Sequence, residues 1–164
     1  KVPNSKLILK SSTFVDKISL INKFKSKGVL NKIEVFDKLN FQNKEDHLNL
    51  YSKIDLCLDT FPYNGVTTSF EALWSNIPVL VLKGFNFNSR CGESIIINSG
   101  FDFLLSNDVN DYISKAVYLS NNINVIEDLR KRIFETIRTT PLFNSKNFSE
   151  NFGNALINLY ENMN

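Results

Sequence analysis

Apolar residues along this chain alternate between short unbroken runs and longer stretches of helical spacing. LILKSS (Leu7 to Ser12), IEVFD (Ile33 to Asp37), IDLCLDT (Ile54 to Thr60), IPVLVL (Ile77 to Leu82) and FDFLLS (Phe101 to Ser106) are compact runs that predict strands. Between them, FVDKISLINKFKSKG sets Ile18, Ile21 and Phe24 on one helical face and stops at Gly28, a residue type suited to a left-handed helix end. KEDHLNLYSK, TTSFEALWSN and SRCGESIIINSG also predict helices: Phe70, Leu73 and Trp74 share a face in the second, and Gly100 closes the third. The remainder is helical: NDVNDYISKAVYLS, VIEDLRKRIFETIR and, after Thr140 and Pro141, FSENFGNALINLYENM, with Asp108 and Ser145 as expected caps.

Strands that are apolar throughout and alternate with helices indicate a parallel sheet covered on both faces. The expected fold is therefore α/β, a Rossmann-like doubly wound parallel sheet. It is expected to form one domain over residues 1–164, with a helical tail from about 124 to 164. In such sheets ligands sit at the carboxyl ends of the strands, where loops lead into helix N-termini.

Composition narrows the reading. At 164 residues and 43% hydrophobic, the chain can bury one sizeable core. A net charge of +2, with cations and anions interspersed, does not advertise nucleic acid or an anionic membrane as a partner. Cys57 and Cys91 have no metal-ligand spacing and form no disulfide framework, which suits core thiols in a reducing cytoplasm. No apolar run approaches the ~20 residues of a membrane span, and no signal peptide is visible. The opening KVPNSKLILK lacks an initiator Met and enters a strand pattern almost at once, so a longer parent chain is expected. There is no Gly-rich loop ending in Gly-Lys-Ser/Thr and no Gly-x-Ser-x-Gly elbow, which removes the common NTPase and hydrolase readings.

The stretch DTFPYNGVTTSFEALW, from Asp59 to Trp74, carries the candidate chemistry. Asn64 and Gly65 give a tight turn with room for close approach, and Thr67 and Thr68 bring hydroxyls and backbone N–H groups to a helix mouth, where the dipole favours an anion. Glu71 lies one helical turn on, where ribose hydroxyls are its natural partners. On spacing alone, Thr68 and Glu71 also fit a capping box. Lys44 and His47, with Gln42 just before them, supply a compact cation and the single histidine; a solvated helix face is the alternative. Arg90 adds a cation at another strand-to-helix loop, with a surface or packing role as its alternative.

IDLCLDTFPYNGVTTSFEALWSNIPVLVL resembles the core of the protein O-GlcNAc transferases, the GT-B glycosyltransferases that usually follow tetratricopeptide repeats and include SPINDLY-like and many bacterial members. The bacterial branch is the one it resembles more. VPNSKLILKSS, KEDHLNLYSKIDLCLD, SRCGESII and TPLFNSKNFSENFGNALINLYENM follow the family in order and spacing, so the resemblance covers nearly the whole chain.

The resemblance implies the carboxyl-terminal half of a GT-B pair, which binds UDP-GlcNAc as donor and needs no metal or other cofactor. By it, Thr67 and Thr68 bind the diphosphate, Glu71 takes the ribose, Lys44 and His47 line the UDP site, and the backbone near Gln42 reads uracil. Asn64, Gly65 and Arg90 are further candidates, and no catalytic residue is assigned to this segment. The implied activity is transfer of GlcNAc to Ser or Thr of an acceptor protein. The amino-terminal Rossmann half and the tetratricopeptide repeats would lie earlier in the parent, so this segment alone is expected to be inactive. Val66 stands where members of the family carry His or Thr, and Phe87 where many carry His, which puts donor affinity and sugar choice in question. The rivals are a non-catalytic UDP-sugar-binding or scaffold module and a UDP-glucose-dependent protein N-glucosyltransferase. A flavodoxin-like regulatory domain would rest only on Asp37 and Asp59.

Overall fold

A computed structural model describes residues 2–10, 14–37 and 43–163, without the side chains of Phe14, Val15 and Lys44. Gln42 lies outside the described residues. The chain divides into two compact units, Lys1–Ile54 and Asp55–Asn164.

The first unit is a βαβ arrangement. β1 (Leu7–Lys10) and β2 (Ile33–Phe36) pair in parallel, Leu7 opposite Ile33 and Lys10 opposite Phe36. α1 (Phe14–Ser26) connects them, with Asp16 in its first turn and Lys23 and Lys25 in its last, each charge on the side that the helix dipole favours. The chain then turns at Gly28, whose φ of 69° is in the left-handed region open to glycine. Asp37, at the end of β2, is buried and meets Lys17 of α1 at 3.2 Å. α2 (Lys44–Asn49) starts at Asn43, whose side chain accepts the Asp46 N–H, and tightens into a 3-10 turn over Leu50–Lys53.

In the second unit, β3 (Cys57–Leu58), β4 (Val79–Leu82) and β5 (Leu105–Ser106) form a parallel sheet in the order β3-β4-β5. β4 lies between the other two and all four of its residues are buried, which accounts for its lack of polar alternation. α3 (Thr67–Trp74), α4 (Phe87–Ser99), α5 (Val109–Asn121), α6 (Ile123–Thr136) and α7 (Ser145–Glu161) follow. The core is built from Ala72 and Leu73 of α3, Val79 to Leu82, Ile95 and Ile96 of α4, Leu119 of α5, and Ile126, Leu129 and Ile133 of α6.

The strand and helix order predicted from hydrophobic spacing is the order observed; the boundaries differ for local reasons. β3 is much shorter than the expected run from Ile54 to Thr60: the Cys57 and Asp59 N–H groups bond to β4 at Pro78 and Leu80, and past them the Thr60 N–H turns to the Asp59 side chain. α4 begins two residues before the expected Ser89. Asn86 caps it and Ser89 completes a capping box, its Oγ also accepting the Phe85 and Asn86 N–H groups. Asp108 does cap α5, accepting the Asp111 N–H, but Ser145 does not cap the tail helix. Asn144 does, through Asn147 N–H, so Ser145 becomes its first residue.

α7 has no buried residue; Phe148, Phe152, Leu156, Leu159 and Tyr160 are exposed along it, and Phe148 and Phe152 stack at 5.8 Å. Gly153 sits in this helix with nothing within 4 Å of the position a Cβ would take. Gly153→Ala is therefore expected to stabilise α7, by about 0.5–1 kcal/mol from helix propensity alone. Slower amide exchange along the helix and a raised thermal midpoint would show it; an unchanged midpoint would mean that α7 unfolds independently of the rest.

Candidate functional site

The site in the second unit is made by the loop between β3 and α3. Asp59 Oδ1 accepts the Thr60 N–H at 2.9 Å and the Gly65 N–H at 2.7 Å, so one carboxylate oxygen closes both ends of the loop. Asn64, 1% exposed, fastens the loop to α4. Its backbone N–H donates to the Asn88 carbonyl at 3.1 Å and its Oδ1 accepts the Gly92 N–H at 3.0 Å, while its Nδ2 donates back to the Thr60 carbonyl at 3.0 Å. Asn88 and Gly92 are four apart, the spacing that a helix pairs with itself, so Asn64 docks onto one turn of α4.

The loop delivers the chain to α3 with Val66 at the N-cap, which has no side-chain hydrogen bond to offer. The capping box that spacing allows for Thr68 and Glu71 is not what forms, since Thr67 is already the first helical residue. Thr67 and Thr68 are exposed at the helix mouth, and Glu71 is half-buried one turn along. Ser69 is buried and its hydroxyl donates to the Gly65 carbonyl, tying the first turn back to the loop. The structure thus brings Asn64, Gly65, Thr67, Thr68 and Glu71 together at one helix N-terminus, where the dipole favours an anion.

Arg90 lies in the first turn of α4, and its Nε donates to Glu93 at 2.7 Å. Glu93 also meets Lys83 at 2.8 Å; the hydrogen bonds from Arg90 and Lys83 hold its carboxyl below the usual range. A cavity of about 580 Å³ opens between the starts of α3 and α4, lined by Val66, Phe70, Phe87, Arg90 and Cys91 among others. Phe85 and Phe87, 80% and 84% exposed, give it an aromatic rim.

In the first unit, Lys44 and His47 share α2. Lys10, at the end of β1, stands 3.0 Å from His47 Nδ1; a lysine has only donors to offer, so Nδ1 accepts and a neutral imidazole carries its proton on Nε2. The ring also meets Tyr51 edge-on at 5.7 Å.

Spacing did not single out Lys10, and it marked Asp59 only, with Asp37, as a thin basis for a regulatory domain. Asp59 is 8% exposed, and its Oδ2 is buried without a hydrogen-bond partner. Burial pushes its carboxyl up to about 6, against the lowering effect of the Gly65 and Thr60 N–H groups. Two neighbours are held protonated: burial, then the charge of Asp59, pushes the Cys57 thiol up to about 12 and raises the Tyr112 phenol, whose hydroxyl donates to the Asp59 carbonyl at 3.0 Å. The one available sign was an Asp at the end of an apolar strand just before a loop.

Parallel strands, crossover helices and an open helix N-terminus at a strand's carboxyl end define a Rossmann-like α/β fold, the kind on which each half of a GT-B glycosyltransferase is built. Residues 1–152 match the model of glycosyl transferase family 41, and the chain belongs to that family. It is 28% identical over 158 residues to the probable UDP-N-acetylglucosamine–peptide N-acetylglucosaminyltransferase SPINDLY of Hordeum vulgare, a match covering 94% of this chain and 16% of that protein. The SPINDLY protein of Oryza sativa is 29% identical over 97% of this chain and 17% of its own length. A solved structure of a Thermobaculum terrenum O-GlcNAc transferase mutant superimposes with a TM-score of 0.84 at 28% identity, covering 94% of this chain and 30% of that one. The plant and Thermobaculum identities are alike and do not assign the chain to a branch. The chain spans about a sixth of the length of these curated relatives. No described helix is long and apolar enough to cross a membrane.

Proposed function

We propose that this chain is the donor-binding domain of a protein O-linked N-acetylglucosaminyltransferase, and that the mouth of α3 takes the diphosphate of UDP-GlcNAc. The observation that carries this reading is the start of α3: a helix N-terminus capped by Val66 without a side-chain hydrogen bond, with Thr67 and Thr68 exposed on it. An anion there gains from the helix dipole and from hydroxyl donors together. Glu71 would take the ribose hydroxyls; Lys44 and His47 enter the proposal through the sequence resemblance alone. Asn64 and Gly65 shape the loop, while Arg90 orients against Glu93 at the neighbouring helix start. Oriented donors stabilise the charge that develops on UDP as it leaves, which is electrostatic catalysis that requires no metal. The uracil contact near Gln42, a cytoplasmic setting, a bacterial affinity and a tetratricopeptide-bearing parent belong to the same proposal. So do the protein acceptor and the inactivity of this segment by itself.

Calorimetric titration with UDP, using ADP and GDP as controls, tests the reading on the wild type and on Thr68→Ala, both first shown to be folded by circular dichroism. Selective UDP binding is expected, weakened by about 1 kcal/mol in Thr68→Ala. Binding indifferent to that substitution would place the diphosphate elsewhere. A second reading, a donor-binding module without transfer, is favoured by the exposed apolar side chains of Val66 and Phe87 beside the mouth. It predicts UDP binding by the full-length parent without turnover.

A further inference from the structure

The carboxylate of Asp59 lies beneath the mouth of α3. A Cβ at Gly65 would collide with Thr68 Oγ1 and stand 3.3 Å from Asp59 Oδ1, so the carboxylate, the bare Gly65 and the Thr68 hydroxyl are stacked in direct succession. The other oxygen points into the interior, where a Cβ on Gly92 would come within 2.6 Å of it. It has no hydrogen-bond partner there. An ionised carboxylate with one oxygen desolvated and unpaired is costly, and structures normally avoid it.

We propose that Asp59 is the positioning residue of the α3 mouth and takes up a proton from solvent when a phosphate-bearing ligand settles there. This rests on reading that mouth as the diphosphate site.

The two carboxylate oxygens have separable tasks. Oδ1 accepts the Thr60 and Gly65 N–H groups and so sets where the helix begins. A proton on Oδ2 leaves Oδ1 a carbonyl acceptor, so protonation removes the charge and keeps the loop in place.

The ionisable groups on the surrounding elements leave the charge of Asp59 uncompensated. In β3, which ends just before Asp59, Cys57 is held as a thiol; on α5, Tyr112 is held as a phenol, and Lys115 pairs with Asp111. On α4, Arg90 is engaged with Glu93, as is Lys83 at the end of β4; Val81 is the β4 neighbour in the interior. On α3, Glu71 is the one ionisable residue, and it is an acid. No cation among the described residues pairs with Asp59.

A phosphate at the mouth is repelled by the ionised carboxylate and indifferent to the protonated one, so binding raises the proton affinity of a group already pushed up to about 6. Affinity must then rise as pH falls from 8 towards 6, with net proton uptake on binding.

The test measures UDP affinity at pH 8 and pH 6, in buffers of differing ionisation enthalpy, for the wild type, Asp59→Asn and Asp59→Ala. The Asp59 carboxyl carbon and the Gly65 amide are followed by NMR with and without UDP. Asp59→Asn keeps an acceptor for Gly65 and carries no charge; it should bind UDP about tenfold more tightly than the wild type at pH 8, equal it at pH 6, and report the titration of UDP itself. Asp59→Ala should bind about tenfold more weakly at both pH values, with loss of exchange protection at the Gly65 amide. A wild-type pH profile in Asp59→Asn, or a carboxyl whose titration UDP does not move, overturns the proton coupling alone. Wild-type affinity in Asp59→Ala overturns the positioning role. Absence of UDP binding at every pH, with the Gly65 amide still following the carboxyl, overturns the donor-site reading and the coupling with it.

Discussion

Asn64→Ala should destabilise the protein by about 2 kcal/mol and weaken UDP binding in the same step. The side chain is 1% exposed, and its loss leaves the buried Gly92 N–H and the part-buried Thr60 carbonyl without their partner. An unsatisfied buried polar group costs about 1–3 kcal/mol; Thr60 is exposed, so water reaches its carbonyl, and the cost falls on the buried Gly92 N–H. The substitution also removes the tie by which the loop before α3 is registered on α4. Urea denaturation gives the energetic part, read from the midpoint at unchanged slope. A loss below about 1 kcal/mol would show that the backbone bond from Asn64 to Asn88 holds the loop without the side chain. Asn64→Asp discriminates further: it keeps an acceptor for Gly92 but loses the donor to Thr60 and sets a second carboxylate near Asp59. It should therefore be worse than alanine above pH 6 and recover below it.

Gly92→Ala should also destabilise, by about 2 kcal/mol, although alanine is ordinarily the better helix residue by nearly 1 kcal/mol. The sign reverses because of what the added methyl meets. It would lie 2.6 Å from Asp59 Oδ2, 2.7 Å from Val81 Cγ1 and 3.2 Å from Asn64 Cγ. Each of these side chains is held by a strand or by the loop, so α4 must move away from β4 to make room. Gly153→Ala, the same change in open space, is expected to have the opposite sign. Val81→Ala in the Gly92→Ala background should recover part of the loss by removing one of the colliding groups, and a double-mutant cycle measures how much. If Gly92→Ala proves stabilising, the packing of α4 on β4 is looser than these distances require.

The order of strands and helices was legible in the sequence because it depends on near neighbours. A run such as Val79 to Leu82 can be satisfied only by burial on both faces, and a periodic stretch such as Phe70 to Trp74 by burying one side, although the side buried is that of Ser69, Ala72 and Leu73, with Trp74 half exposed. The position of the loop at the carboxyl end of β3 follows from that order, and with it the place of Thr67 and Thr68. Glycines at the helix ends were equally plain, since Gly28 and Gly100 both take the left-handed conformation that their residue type permits.

The residue that starts each helix, and the chemistry beneath the site, were decided by tertiary structure. Spacing allowed Thr68 to be a cap; Asp59 and Asn64 instead pull the loop tight enough for α3 to begin at Thr67. Asn64 does so through Gly92, 28 residues away, and His47 receives its donor from Lys10, 37 residues before it. No local pattern encodes such pairs. Asp59 is the clearest case: in sequence it is an acidic residue at a strand end, where solvent would keep it ionised. Only the packing of α4 and β4 against it removes that solvent and gives the carboxyl its raised affinity for a proton.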